Sequence, residues 1–131
     1  MKSFGMGLLG AGLVIALATG GDVRAQKAKP DAGVKKVFDM MLGAIKDNDR
    51  AAFIAHGTAA VKEGTTQEIM DQFQKLLGGR LKKEYQADYL CQLKQAGHQV
   101  HLWKLAFKDG GDDVVIRIAF KDAKVGGFFL Q

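Results

Sequence analysis

A single cysteine, Cys91, and a single proline, Pro30, stand in the 131 residues of this chain. One cysteine excludes an internal disulfide framework, so the fold must be held by core burial. A lone proline near the start leaves the rest of the chain free of helix-breaking punctuation. Neither charge sign dominates: 19 Lys and Arg against 14 Asp and Glu give +5. The basic residues alternate with acids and do not gather on one aromatic-laced face, which argues against a nucleic-acid binder. No glycine-rich turn is followed by Lys-Ser/Thr, so phosphate-loop chemistry has no motif. What the chain does have is glycine, 17 in all, and their placement divides it in two.

Gly5, Gly7, Gly10, Gly12, Gly20 and Gly21 lie in the first 25 residues. There Lys2 supplies a positive start, Phe4 to Ala18 form an uncharged apolar run, and Val23-Arg24-Ala25 offers a small-residue cleavage site before Gln26. This is the pattern of a secretory signal peptide over residues 1–25. The run is shorter than the roughly 20 residues needed to span hydrocarbon, so no stable membrane insertion is expected after cleavage. Cleavage removes Lys2, Arg24 and Asp22, which leaves +4. An exported protein, periplasmic or secreted, is the expectation. Residues 26–32 read as a polar leader, and residues 33–131 as one domain.

Val34, Val37, Phe38, Met41, Leu42 and Ile45 recur at helical spacing and predict a first helix over 33–46, with Asp31 as its cap. Asp49 caps a short second helix through Ala55, stopped by His56-Gly57. A third begins at Thr65 or Thr66, where Thr65 and Glu68 have capping-box spacing, and Gly78-Gly79 ends it. The period then changes from 3.6 to 2. Leu81, Tyr85, Ala87, Tyr89, Cys91 and Leu93 share one face of a long strand. Gln95-Ala96-Gly97 turns into a second strand over 98–108. Asp109-Gly110-Gly111-Asp112 turns into a third, Asp113 to Phe120, and Lys121-Asp122-Ala123-Lys124 into a last, Val125 to Leu130. Three helices followed by a four-stranded antiparallel meander predict an α+β domain, with the helices packed on one face of a curved sheet. Leu90, Val100 and Leu102 fall off the apolar parity and leave apolar surface for a second subunit.

Two segments carry a resemblance to a known fold. Ala44-Ile45-Lys46-Asp47-Asn48-Asp49-Arg50-Ala51-Ala52-Phe53 reads as helix, acidic turn and short helix ending in an aromatic. Val114 to Phe120 with Lys124 to Leu130 reads as strand, tight turn and Gly-bearing last strand. On these, residues 31–131 resemble the cone-shaped, cystatin-like α+β superfamily named after nuclear transport factor 2. Within it, the chain looks most like small exported bacterial domains of unknown function. The resemblance implies a cavity between helices and sheet. It also brings ketosteroid isomerases and epoxide hydrolases into view, but the isomerases' carboxylate base and acid pair and the hydrolases' Asp-Arg-Asp set have no matching residues here.

The chemistry-bearing residues are few. Tyr85, Tyr89, His101, Trp103 and Phe107 share the parity that would face a cavity and are the candidate ligand-binding set. His98 and His101 are three apart in a strand and face opposite sides, so no metal site is expected from them. Cys91 reads as a buried thiol acting as a small hydrophobe. Gly126-Gly127 suggests a bulge or close backbone approach. The expectation is a non-catalytic domain without cofactor that binds a small apolar ligand or pairs as a homodimer through its sheet. The rival is a small cavity enzyme of isomerase or hydrolase type, which needs two polar groups converging at the cavity floor.

Overall fold

The computed structural model describes residues 29–131, so the signal-peptide segment and the start of the leader lie outside the described residues. The order is helical segments first, then four strands: α1 (Ala32–Asp47), α2 (Arg50–Ile54), α3 (Ala59–Gly64) and α4 (Gln67–Phe73), then β1 (Tyr85–Gln95), β2 (His98–Phe107), β3 (Val114–Lys121) and β4 (Lys124–Leu130). The sheet is an antiparallel meander in the order β1-β2-β3-β4. The fold is therefore α+β, helices before strands.

The helices start where short polar residues supply caps. Asp49 accepts from the Ala52 amide, Thr58 from Val61 and Thr66 from Ile69, each satisfying an otherwise orphaned first-turn donor. The cap of α4 is thus Thr66, while Thr65 ends α3. Helix α3 is an addition to the three helices read from the sequence; Arg50 holds it by donating to the carbonyls of Lys62 and Thr65. Gly78-Gly79 does not stop α4. The helix widens into a π turn (Gln74–Gly78) and runs one α turn more, α5 (Gly79–Leu81), which buries Leu77 and Leu81. Leu81 consequently belongs to the helix and not to the strand.

Helix α1 lays Val37, Phe38, Met41, Leu42, Ala44 and Ile45 onto the sheet. They meet Trp103, Leu105, Ile116, Ile118, Phe120 and Val125 from the inner sheet face in one continuous core. Asn48 ends α1 in the left-handed region (φ 54°) and donates its amide to Asp71 on α4, tying the two helices. That contact and one from Gln67 hold the Asp71 carboxyl below its ordinary value.

Two register shifts re-aim side chains. In β1, Tyr89 pairs with Trp103 but Cys91 pairs with Leu102, so Leu90 is an extra residue. Cys91 therefore lies across from Leu102 on the sheet face away from the helices, correcting its assignment to the face of Tyr85 and Tyr89. In β4, Ala119 pairs with Gly127 and Phe120 with Val125, which makes Gly126 the extra residue. The outer face carries a second small apolar set: Val100, 1% exposed, pairs with Leu93 and Ala119, and neither Val100 nor Ala119 belongs to the main core.

Candidate functional site

Open space lies at one end of the domain, between the first turns of α1 and the β1–β2 and β3–β4 turns. It is a cleft of about 790 Å³. Val34, Val37 and Met40 recur at helical spacing and give it an apolar wall, completed by Phe120 from β3. Around them stand Asp31, Lys36, His56, Gln99, Lys121 and Asp122, with Gly33, Gly97 and Ala123. Local folding brings these together. Backbone bonds from Thr58 to the Val125 carbonyl (2.9 Å) and from Val125 to the His56 carbonyl (2.8 Å) stitch the α2–α3 connection to β4 and so hold His56 at the cleft. Asp122 (φ 52°) and Ala123 (φ 66°) form a tight hairpin turn that keeps Lys121 beside Phe120. None of Asp31, Lys36, Lys121 and Asp122 makes an ion pair among the described residues.

The five residues selected from sequence parity divide into two groups, and none lines this cleft. Trp103 is core, 2% exposed, stacked on Phe38 at 4.1 Å. Tyr89 meets it edge-on at 5.3 Å. The Tyr89 hydroxyl lies 2.8 Å from Nδ1 of His101, and His101 is 2% exposed. Nε2 of His101 is buried without a hydrogen-bond partner. Burial pushes the His101 imidazolium below its ordinary range, with the nearby Asp31 carboxylate opposing. Burial likewise raises the Tyr89 phenol, with charge at Cys91 and Asp31 adding to it. Phe120, which lines the cleft, stands edge-to-face on His101 at 5.5 Å.

Tyr85 and Phe107 sit together elsewhere, 6.0 Å apart at the other end of the first hairpin, where they line a second depression with Glu84 and Lys108. Arg80 covers that end. Its guanidinium lies 3.9 Å over the Phe107 ring, forks onto Asp109 at 2.8 and 3.2 Å, and donates to the Asp112 carbonyl at 2.8 Å. This is a clamp between the helical end and the β2–β3 turn.

His98 and His101 face opposite sides of β2, and His98 is held locally, its Nδ1 donating to the Ala96 carbonyl at 3.0 Å. Among the described residues no group of three or more His, Cys, Asp or Glu is placed to hold a metal ion. No helix among them is long and apolar enough to cross a membrane.

Sequence reasoning missed Asp31, Lys36, His56 and Lys121 as cleft residues. They are exposed and polar and come from the start of α1, the α2–α3 connection and the end of β3, so no periodicity marks them; the apolar Val34 and Val37 were visible, but as core. No family model matches the chain, and no curated protein matches it. Among solved structures the chain is similar to an uncharacterized cystatin fold protein from Novosphingobium aromaticivorans, at 14% identity and a TM-score of 0.41, over 73% of this chain and 95% of that one.

Proposed function

We propose that this chain is an exported bacterial domain of the cone-shaped, nuclear transport factor 2-like type, non-catalytic, that holds a small, mainly apolar ligand at the end of α1. The observation that carries this reading is the cleft. Its volume of about 790 Å³ lies within the several-hundred to roughly 1,000 Å³ common for small-molecule sites, and an apolar wall rimmed by a few polar groups is the usual makeup of such sites. The packing of Phe38 on Trp103 supports placing the ligand here and not deeper, because the space between α1 and the sheet centre is filled. Lys36, Lys121 and His56 at the rim suit a ligand with one polar or acidic end. Amide NMR mapping of a small-molecule library tests it: shifts should concentrate on Gly33, Val34, Gly97 and residues 120–123. Shifts confined to Tyr85, Phe107 and the β2–β3 turn would sink the placement.

A second reading is pairing of two copies through the outer sheet face. Leu93 (40% exposed) pairs with Val100 there, Phe129 (51% exposed) pairs with Arg117 across from Leu102, and Phe129 folds over Gly127, whose missing side chain leaves room for the ring. Sedimentation across a concentration series tests this. A dimer converted to monomer by Leu93→Lys supports it, and a monomer at all concentrations removes it.

A further inference from the structure

Phe120 joins two features of the molecule. One face of its surroundings is the cleft, and the other is the buried imidazole of His101, met edge-to-face at 5.5 Å. His101 is enclosed by Tyr89 from β1, Phe120 from β3 and Trp103 on its own strand, with the α1 start nearby. Its two nitrogens are unequal: Nδ1 has the Tyr89 hydroxyl at 2.8 Å and Nε2 has nothing. A neutral imidazole carries one N–H and one lone pair, so whichever tautomer is present, the enclosure leaves one polar atom unmatched. Protonation makes both nitrogens donors and adds a full charge. The Tyr89 hydroxyl can accept from only one of them.

The groups able to compensate that charge are few. α1 brings the carboxylate of Asp31, which is exposed and hence screened. β1 brings only the Tyr89 phenol, and the β3 neighbours, Ile118 and Phe120, carry no charge. On the cleft side Asp122 is a second exposed carboxylate, screened like Asp31, while the cationic Lys36 and Lys121 oppose a further positive charge. An imidazolium in this enclosure is therefore driven to water, and the way out passes Phe120 and the first turns of α1.

We propose that His101 is a proton-operated latch on the cleft: uptake of one proton by its imidazole expels it from between Tyr89 and Phe120, displaces Phe120 in the cleft wall and releases the bound ligand on acidification. The release step rests on the ligand-binding reading above; the latch does not.

Two measurements separate them. The first follows the side chain of His101, the amides of Gly33 and Val34, and the ring of Phe120 by NMR from about pH 8 to about pH 4.5, the span in which histidines titrate. The latch predicts that the α1 amides and the Phe120 ring move with the same midpoint as His101, and that His101→Gln leaves them still. Movement unrelated to the His101 midpoint, or identical in His101→Gln, overturns it. If His101→Gln does not fold, a wild-type His101 that titrates with α1 unmoved overturns it equally. The second measures binding of 8-anilino-1-naphthalenesulfonate over the same range. The expected result is affinity falling up to about tenfold per pH unit below the His101 midpoint, as one linked proton requires. Unchanged or rising affinity there contradicts release. Absence of binding at neutral pH would count against the ligand-binding reading and the release step, while the NMR outcome alone decides the latch.

Discussion

The ring of Phe38 on α1 stacks on the indole of Trp103 on β2, with centroids 4.1 Å apart and planes within 10° of parallel. Both are 2% exposed, and the stack fixes the height at which α1 crosses the sheet. Since Val34, one turn earlier, and Val37, the preceding residue, form the cleft wall, that height also sets the cleft's width. Phe38→Ala is expected to cost about 3–5 kcal/mol, from lost apolar transfer plus the cavity left behind. That is a large share of a typical domain's 5–15 kcal/mol. Urea denaturation followed by Trp103 fluorescence measures it, and a loss under about 1 kcal/mol would mean that the stack is not a principal attachment of α1.

The Tyr89–His101 pair makes stability pH-dependent. Burial holds His101 below its ordinary value of 6.5, so on acidification the unfolded chain takes up the proton first. The contribution of neutral His101 is therefore complete above 6.5 and is lost as pH falls from there towards the lowered native value. Denaturation midpoints at a series of pH values should decline in that window for the wild type and stay flatter in His101→Gln. Tyr89→Phe removes the partner of Nδ1 and should cost about 1–3 kcal/mol at neutral pH.

Arg80 should behave as a local clamp. Its fork onto Asp109, with help from the Gly111 amide, holds the Asp109 carboxyl below the ordinary carboxylate range. A β-carbon at Gly111 would stand 2.8 Å from Nη2 of Arg80. Arg80→Lys keeps the charge but loses the planar fork and the stacking on Phe107. Hydrogen exchange should quicken in the β2–β3 turn and at the end of β2 while α1 is unaffected. Asp109 contributes above its unfolded value, and the contribution is lost as pH falls through the lowered native one, so in the variant this acid dependence should shrink. Equal exchange in the two proteins would show the clamp to be ornamental.

Ala123 sits at φ 66° in the β3–β4 turn, a region where a β-carbon crowds the following carbonyl. Ala123→Gly relieves roughly 1–2 kcal/mol of that strain and loses roughly half to one kcal/mol in added unfolded-state freedom. A net gain of about 0.5–1 kcal/mol in urea unfolding is expected, with the opposite sign for Gly97→Ala at φ 79°.

The element order, the hairpin turns and the stripe of α1 were legible because each follows from a local rule: apolar spacing, Gly and Asp at turns, short polar caps. What failed did so for identifiable reasons. The parity of β1 breaks at Leu90, and a bulge leaves no mark in an alternating pattern, so Cys91 was assigned to the wrong face. α3 has Val61 as its only large apolar residue and shows no stripe. Gly78 and Gly79 looked like a stop, yet both adopt ordinary right-handed helical angles, since glycine permits an αL ending without requiring one. Of the five residues placed on one parity, Tyr89, His101 and Trp103 lie ring to ring, while Tyr85 and Phe107 sit at the other end of the first hairpin. The cleft itself escaped, because it is assembled from turns and helix ends that share no sequence period.

The binding reading stands or falls on whether the cleft takes a ligand. Native mass spectrometry of the protein against a broad small-molecule extract, run beside Val34→Glu in the cleft and Tyr85→Ala at the far end, tests this most directly. The account predicts a defined small adduct on the wild type that persists in Tyr85→Ala and is lost in Val34→Glu. An adduct retained in Val34→Glu, or lost only in Tyr85→Ala, would contradict it.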